Sequence, residues 1–262
     1  MANVRFFRDY LSHCIRSKTR HGIHSPFLYN LVDRVVYDFD KRDYYDPIEC
    51  LRRQLADDHR TLNITDLGAG SMLNKKKTKK VSTLATNALK PPRIAKLIAR
   101  LAQEFQPNNI IELGTCLGIT TLYLSKACPS SSIITIEGCP ETARVAQENF
   151  EKLGADNIDI KVGDFDTLFP QLVAEASAID FLFIDGNHRK SATLDYFYQS
   201  LPKVHDESLL IFDDIYWSEG MKEAWEEIKS HPSVTVTVDL FYIGLVFFKK
   251  DQAKENFKIR FF

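Results

Sequence analysis

Apolar and polar residues alternate along the second half of the chain in a way that predicts strands and helices in turn. Short apolar runs bounded by turn residues are typical of buried strands, and apolar residues three or four positions apart are typical of amphipathic helices. Two closing strands lie too near one another for a helical crossover and should pair antiparallel. This alternation predicts an α/β fold with a doubly wound, mostly parallel sheet and an antiparallel last strand. We expect strands at residues 109–113, 132–136, 157–161, 179–184, 207–212, 234–240 and 243–250, and helices at 119–128, 140–153, 165–175, 189–200 and 218–230.

The first part of the chain has helical periodicity without this alternation. The segments FFRDYLSHCI and SPFLYNLVDRVVYDFD predict helices, and the second has Ser25 as a candidate N-cap and Pro26 at the first helical position. Residues 47–60 continue with an amphipathic segment, and a helix at 92–105 ends before Pro107. We therefore expect a helical N-terminal extension or lid at residues 1–87 and a cofactor-binding domain at residues 88–262.

The sequence IIELGTCLGITTLYL, at residues 110–124, predicts a strand, a glycine turn and a helix in succession. Gly114 and Gly118 allow the backbone to approach a ligand closely, and the turn presents unpaired backbone N–H groups at the start of a helix. A dinucleotide fingerprint needs G-x-G-x-x-G, whereas these glycines stand four positions apart. No G-x-x-x-x-G-K-S/T run exists either, so we expect a nucleotide-type cofactor other than a dinucleotide or a P-loop nucleotide.

A second glycine turn, ITDLGAGS at residues 64–71, competes with the first. It is followed by NKKKTKK at 74–80, which is too polar for a helix that packs on a strand. The downstream turn is followed by an apolar helix pattern and by a strand that closes on Glu137. We therefore favour the downstream turn and interpret ITDLGAGS as an ordinary turn. The lysines at 75–80 are typical of a solvated loop, and a lid over the active site is the alternative.

The composition excludes some classes of protein and does not indicate a binding partner. With 262 residues, 44% hydrophobic residues and a formal net charge of −1, the chain has no basic excess that would attract nucleic acid. Its five cysteines are irregularly spaced without a C-x-x-C pair, so neither a zinc site nor a disulfide framework is indicated. No signal peptide or 18-residue apolar span is present, and we expect a cytoplasmic protein.

Acidic residues follow or end each predicted parallel strand. Because ligands of open parallel sheets bind at the carboxyl ends of the strands, five acidic strand ends together favour a functional site over isolated turn or cap carboxylates. These acids are Glu112, Glu137, Asp164, Asp185 and the pair Asp213 and Asp214.

On these motifs, residues 88–250 resemble the class I S-adenosylmethionine-dependent methyltransferases, and within them the O-methyltransferases of the catechol and caffeoyl-CoA type. The resemblance implies a Rossmann-like domain that binds S-adenosyl-L-methionine. It implies that Glu137 binds the ribose hydroxyls, that Asp164 lies at the adenine side, and that Glu112 organises the loop near the amino-acid end of the cofactor. The family's cofactor motifs match Glu112, Gly114, Thr115, Gly118, Glu137, Gly163 and Asp164, and Asp185 is also expected to face the cofactor.

The same resemblance implies that Asp185, Asp213 and Asp214 hold Mg²⁺ or another divalent cation that binds the substrate oxygens. The family's pair is usually Asp-Asn, whereas this chain has FDDIYW with Asp214 in the place of the amide. Helix capping or a lysine pair without an ion is the alternative for Asp213 and Asp214. His188, three residues after Asp185, stands where relatives have a catalytic lysine, so we expect a catalytic pair of His188 and Asp185 with His188 as general base. A metal-ligand role and a solvent-facing turn stay open for His188.

The sequence thus favours an S-adenosylmethionine-dependent O-methyltransferase that acts on a small molecule. No N-P-P-F/Y segment follows the fourth strand, which disfavours methylation of a nucleic acid base. A non-catalytic cofactor-binding or scaffold protein is the main alternative. Tyr216 and Trp217 are candidates either for stacking on a planar substrate or for packing. We expect no nucleic acid or membrane partner and leave a homodimer open.

Overall fold

The computed structural model describes residues 2–65 and 78–261. The α-helices of these ranges are α1 (Ala2–Arg16), α2 (Pro26–Leu31), α3 (Tyr45–Ala56), α4 (Val81–Asn87), α5 (Pro92–Phe105), α6 (Ile119–Ala127), α7 (Pro140–Lys152), α8 (Phe165–Glu175), α9 (Lys190–Ser200) and α10 (Glu219–Ser230). The strands are β1 (Thr61–Asn63), β2 (Thr78–Lys80), β3 (Asn109–Leu113), β4 (Ser132–Glu137), β5 (Ile158–Val162), β6 (Phe181–Ile184), β7 (Leu209–Asp213), β8 (Val236–Asp239), β9 (Ile243–Phe247) and β10 (Glu255–Lys258). None of the helices in the described ranges is long and apolar enough to cross a membrane.

The chain folds as two compact units. One unit combines Met1–Phe39 with Glu175–Phe262, and we call it the outer-segment unit. The other is continuous, Asp40–Ala174, and we call it the central-segment unit. The predicted division at residue 87 differs from this one and stays a prediction.

The central-segment unit contains three parallel strands in the order β3, β4, β5. Ile110 and Ile111 of β3 lie opposite Ile133 and Ile134 of β4, and three of these four side chains are buried. β1 and β2 form a separate antiparallel pair. The apolar run that predicted β3 thus forms a strand whose side chains are buried on both faces.

The outer-segment unit contains five strands in the order β10, β8, β9, β7, β6. β6 and β7 are parallel, whereas β9 runs antiparallel to both β7 and β8. β10 then lies parallel to β8. The predicted α/β class with a mostly parallel sheet and a late antiparallel strand is confirmed, and β10 is an additional strand.

Helix boundaries follow local chemistry. The Ser25 side chain accepts a hydrogen bond from the Leu28 amide and Pro26 is the first residue of α2, as predicted. α5 ends where Gln106 adopts a left-handed conformation with φ 44°. Pro107 follows this cap, so the chain cannot continue as a helix and turns into β3.

Candidate functional site

The predicted glycine turn connects β3 to α6 in the central-segment unit. Gly114 and Gly118 have φ of 108° and 78°, and Cys116 between them has φ of 50°. The Gly114 amide donates to the carbonyl of Ile136 in β4 at 2.9 Å, which fixes the start of the turn. At Gly118 an added Cβ would lie 2.8 Å from Cζ of Phe150, closer than real Cβ atoms approach. The backbone conformation and the packing both require glycine there.

Glu112, in β3, is fully buried beside this turn. Its Oε2 accepts hydrogen bonds from the hydroxyls of Thr121 and Thr135, the latter at 2.7 Å. Its Oε1 is buried and has no hydrogen-bond partner. Burial raises the pKa of Glu112 to about 7, against the two threonine hydrogen bonds, and the charge of Glu137 adds to the increase. Such a carboxylate is stabilised by a cation or a donor at its second oxygen.

Glu137 is the last residue of β4 and closes the turn from the other side. Its Oε2 accepts from the amide of Cys116 at 2.7 Å, and its Oε1 accepts from the amide of Cys139 at 2.9 Å. Burial raises the pKa of Glu137, while these backbone hydrogen bonds oppose the increase. The carboxylate is therefore held in one orientation next to the glycine turn, with further lone pairs on each oxygen.

Gly163 and Asp164 follow β5. The Gly163 amide donates to the carbonyl of Glu137 at 3.0 Å, and an added Cβ at Gly163 would lie 2.8 Å from Leu168 Cδ1. Asp164 Oδ1 accepts from the amide of Asp166 at 3.1 Å, at the start of α8. Asp164 thus has a capping contact, and an adenine-side role for it stays a prediction.

The end of β1 lies against the loop between β4 and α7, a contact that the sequence does not indicate. The amide and side-chain nitrogens of Asn63 both donate to the carboxylate of Glu141 at 2.7 Å. Cys139 Sγ lies 3.4 Å from the Asn63 carbonyl oxygen and 3.4 Å from the Thr65 amide nitrogen. The polar sequence TLN gave no signal for a strand, so this contact could not be found from periodicity.

Two other predictions fall partly outside the described residues. Of ITDLGAGS, residues 66–71 lie outside them, and so do residues 75–77 of the lysine run. Thr78, Lys79 and Lys80 form β2 and pair with Asn63, Leu62 and Thr61. The interpretations of both segments stay predictions.

The outer-segment unit brings together a second set of predicted residues. Asp185 follows β6, Asp213 ends β7, and His188 precedes α9. One ligand atom from each of these three residues lies within 4.8 Å of the others. Asp213 is 2% exposed, whereas Asp185 and His188 are partly exposed. The arrangement offers two carboxylates and one imidazole to the same small volume.

Asp214 has a different position from its neighbour. Its Oδ2 lies 3.7 Å from His188 Nε2, and the same nitrogen lies 4.0 Å from Asp185 Oδ1. Asp214 has a left-handed φ of 54°, and its amide donates to the carbonyl of Tyr242 at 2.8 Å. Among the described residues, the geometry groups Asp185 and Asp213 with His188 and places Asp214 beside the imidazole. The predicted ligand set of Asp185, Asp213 and Asp214 stays a prediction.

The turn before α9 is fixed by Asn187, which has φ of 52° and is buried. Its side-chain nitrogen donates to the Tyr196 hydroxyl at 2.9 Å, and its oxygen accepts from Arg189 Nε at 2.7 Å. Lys190 pairs with Glu223 at 3.0 Å on the surface. The side chains of Asn187, Arg189 and Lys190 therefore fix the conformation of the turn that contains His188.

Tyr216 is packed inside the outer-segment unit. Its ring stacks on Phe241 with centroids 4.7 Å apart, and its hydroxyl donates to Asp239 Oδ2 at 2.7 Å. Trp217 is 57% exposed. Of the two aromatic residues, Tyr216 thus has the packing role, and stacking on a substrate stays a prediction for Trp217.

Comparison with known proteins connects these residues to a family. Residues 111–215 match the sequence profile of a family described as "Methyltransferase domain". A catechol O-methyltransferase of Niastella koreensis is 35% identical over 127 residues, which cover 47% of this chain and 57% of that protein. The chain spans between 52% and 64% of the length of the first curated relatives that it matches.

Solved structures agree with this result at the level of the fold. An SAH-bound methyltransferase of Podospora anserina has a TM-score of 0.60 at 15% identity and covers 87% of this chain and 99% of its own. An O-methyltransferase of Bacillus cereus, in complex with SAH, has a TM-score of 0.55 at 20% identity and covers 82% of this chain and 96% of its own. The Rossmann-like fold class is thereby confirmed. The resemblance to O-methyltransferases is confirmed over the part of the chain that the sequence matches cover.

Proposed function

We propose that this chain, which contains a methyltransferase domain, transfers a methyl group from S-adenosylmethionine to an oxygen of a small molecule. The observation that supports this most strongly is the pair of carboxylates on either side of the glycine turn, of which Glu112 is buried and Glu137 is partly buried. Of their four carboxylate oxygens, Oε1 of Glu112 is buried and has no hydrogen-bond partner. A donor molecule with hydroxyl groups and cationic groups matches both carboxylates.

The donor residues would work by binding and orientation. Glu137 keeps free lone pairs in addition to its two backbone hydrogen bonds and can accept ribose hydroxyls. Glu112 would accept from the ammonium group at Oε1, and that contact would favour its ionised form. Gly114, Thr115, Gly118, Gly163 and Asp164 would complete the donor site. The bound donor supplies a methyl group on a sulfonium, which is already a good electrophile.

The acceptor residues would position an oxygen and remove its proton. Nε2 of His188 is the atom nearest to both Asp185 and Asp214, so a proton taken up there would be stabilised by two carboxylates. We assign the general-base role to His188. Asp185 and Asp214 lie beyond hydrogen-bond distance of Nε2, so they would stabilise the imidazolium through their charge.

A divalent cation is part of the proposal. Carboxylate oxygens are the ligands that Mg²⁺ prefers, and it is usually bound through one or two of them. Asp185 and Asp213 provide that number within the same small volume. The cation would lower the pKa of a bound substrate hydroxyl. His188 could serve as a ligand only if Nε2 gave up its role as base, so the two roles exclude one another at that atom.

Binding and turnover test the proposal separately. In titration calorimetry with S-adenosylmethionine, Glu137→Gln should weaken donor binding by about 10-fold or more, since a charge-assisted hydrogen bond contributes roughly 1.5 to 3 kcal/mol. Glu151→Gln is the control, because Glu151 is exposed on α7 and its side-chain carboxylate accepts a hydrogen bond from Gln147 Nε2 at 3.0 Å, on the surface. In a radiolabel assay with phenol, carboxylate and sugar acceptors, His188→Asn should lower kcat by about 10²-fold or more and leave donor affinity unchanged.

Each arm has a result that contradicts the proposal. Undiminished donor binding by Glu137→Gln would remove the donor site from this loop. A wild-type protein that binds the donor and consumes none of it across the panel would indicate a non-catalytic cofactor-binding protein. Strongly salt-dependent RNA binding would favour a nucleic acid acceptor instead.

A further inference from the structure

A second ionisable cluster lies inside the outer-segment unit, around Asp239 at the end of β8. Asp239 is 2% exposed. Its Oδ1 accepts from the amide of Phe241 at 2.9 Å and lies 3.3 Å from His13 Nδ1, and its Oδ2 accepts from the Tyr216 hydroxyl at 2.7 Å. Burial raises the pKa of Asp239, but His13, Tyr216 and the Phe241 amide outweigh burial and hold it below its usual value. The carboxylate is therefore ionised and fully engaged.

The partners of Asp239 come from four different segments of the unit. His13 belongs to α1, is 3% exposed, and has Nε2 3.3 Å from the carbonyl of Ile259. Nδ1 of the same ring lies 3.3 Å from Asp239 Oδ1 without the geometry of a hydrogen bond, so this contact is a close approach of the ring to the carboxylate. Lys258 of β10 donates to the Tyr216 hydroxyl at 2.8 Å, and its Nζ lies 3.6 Å from Asp239 Oδ2. Asp239 thus connects α1, β10, the residues that follow β8, and the loop after β7.

That last loop contains the acid pair of the proposed acceptor site. Tyr216 is the third residue after Asp213, and its ring stacks on Phe241 at an interplanar angle of 19°. The Asp214 amide donates to the carbonyl of Tyr242, the residue after Phe241. Residues 239–242 therefore contact the loop after β7 at two points: at the Asp214 amide, and at the ring and hydroxyl of Tyr216.

Backbone conformation shows that these contacts are needed. Asp214 and Phe241 have φ of 54° and 73°, in the left-handed region that residues with side chains seldom adopt. Phe241 is fully buried, and the rings of Phe6 and Tyr10 of α1 lie 5.0 Å from it. Conformations of this kind persist when the surrounding contacts determine them. Here the surrounding contacts are the aromatic rings of α1 and the hydrogen bonds of Asp239.

We propose that Asp239 is a positioning residue for the Asp213 and Asp214 carboxylates, with His13 and Tyr216 as the partners through which it acts. The inference rests on the proposed function, because positioning concerns the acceptor side of that reaction. It gives α1 a role in the acceptor site, in addition to covering Phe241.

The test compares Asp239→Asn with the wild-type full-length protein. Conserved outer partners of a binding site typically change affinity or activity by about 10- to 100-fold when removed, and we expect kcat and Mn²⁺ affinity to fall within this range. S-adenosylmethionine affinity should change less than about twofold, because the two donor carboxylates, Glu112 and Glu137, belong to the other unit. Mn²⁺ binding is measured by electron paramagnetic resonance. Amide hydrogen exchange should become faster in residues 213–217.

The matched control is Asp180→Asn. Asp180 Oδ1 pairs with His205 Nε2 at 2.9 Å in the same unit, and the Asp180 carbonyl accepts from Leu209, the first residue of β7. Asp180→Asn removes an acid–histidine pair that is more exposed than the pair of Asp239 and His13, at the opposite end of β7 from Asp213. We expect kcat, Mn²⁺ affinity and exchange in residues 213–217 to stay at wild-type values. Tyr216→Phe keeps the stacked ring and removes the hydroxyl with its two hydrogen bonds, to Asp239 and from Lys258, so it gives a second variant that leaves the Asp239 carboxylate in place if Asp239→Asn does not fold.

Two results would overturn the inference. One is an Asp239→Asn or Tyr216→Phe protein with wild-type kcat, Mn²⁺ affinity and exchange. The other is an Asp180→Asn protein with the same losses, since the effect would then be general destabilisation. If the wild type neither consumes the donor nor binds Mn²⁺, the proposed function fails by itself. Exchange in residues 213–217 then decides alone, with faster exchange in Asp239→Asn supporting the positioning role and unchanged exchange rejecting it.

Discussion

Two buried carboxylates of this protein show how the available donors set the pKa of an acid. Glu112 has two hydroxyl donors and a neighbouring carboxylate, and burial raises its pKa to about 7. Burial also raises the pKa of Asp239, but His13, Tyr216 and a backbone amide outweigh burial and lower the pKa below its usual value. The difference follows from the charged and N–H donors that only Asp239 has. Glu112 therefore has an electrostatic demand that a bound cation can meet, whereas Asp239 has its partners already.

The raised pKa of Glu112 predicts a specific pH dependence of stability. Between its ordinary value of 4.5 and about 7, the unfolded chain ionises while the folded protein keeps Glu112 protonated. The free energy of unfolding should therefore fall as pH rises through this window and level off above it, by a total on the order of 3 kcal/mol. Glu112→Gln should remove this part of the slope. Urea unfolding at intervals between about pH 5 and about pH 8 measures it.

The control for this measurement is Glu104→Gln, which neutralises an exposed carboxylate on α5. It should keep the wild-type slope. An unchanged slope in Glu112→Gln would mean that Glu112 is ionised throughout the window in the folded protein.

At the scale of elements, the junction between the glycine turn and α6 depends on Gly118. Alanine there would have φ near 78° and a Cβ 2.8 Å from Phe150 Cζ. A left-handed conformation costs about 1–2 kcal/mol, and overpacking adds about 1–3 kcal/mol. Gly118→Ala should therefore lower the free energy of unfolding by about 3 kcal/mol and weaken donor binding, as measured by urea unfolding and calorimetry.

Gly154 provides a matched control, since it also has a left-handed φ, of 58°, but an added Cβ meets nothing within 4 Å. Gly154→Ala should cost only the conformational part, about 1 kcal/mol, and leave donor binding unchanged. Equal losses in the two variants would show that Phe150 adjusts without cost.

The elements that could be predicted are those with a local signal. β3 has the predicted bounds, and β5 is shifted by one residue from 157–161, because apolar runs bounded by turn residues define such strands. β1, β2 and β10 have the sequences TLN, TKK and ENFK, which lack an apolar alternation. Their pairing depends on distant partners, as in Lys258 opposite Asp239, and distance along the chain hides it from periodicity.

The candidate site was predictable to the same extent. The ends of neighbouring parallel strands meet at one edge, which predicts that Asp185 and Asp213 lie near one another, and ligand atoms of these two residues and of His188 lie within 4.8 Å of one another. The roles of these residues stay predictions. The amides of Cys116 and Cys139 donate hydrogen bonds to Glu137 and could not be predicted, because every residue except proline has a backbone N–H. The position of Asp214 beside His188 depends on its left-handed φ, which the sequence FDDIYW does not reveal.

At the scale of the whole molecule, the first 87 residues supply contacts to both units. In the outer-segment unit, Lys18 pairs with Ile259 and Phe6 lies against Phe241. In the central-segment unit, the rings of Tyr45 and Tyr123 lie 5.6 Å apart, and residues of α3 share one hydrophobic cluster with residues of α6. A helical extension that is independent of residues 88–262 would not need these contacts.

A fragment of residues 88–262 should therefore fail to fold cooperatively by itself. Loss of α1 uncovers Phe241, and loss of α3 uncovers Leu122 and Tyr123, which are fully buried in the full chain. Removing several core side chains at once costs more than the 5–15 kcal/mol that stabilises a typical domain. Near-ultraviolet circular dichroism and urea unfolding of the fragment measure this, and adding residues 1–87 as a separate chain should restore the signal. Cooperative unfolding of the fragment with full donor affinity would instead support a separate extension, because the contacts of α1 and α3 would then be dispensable for both stability and binding.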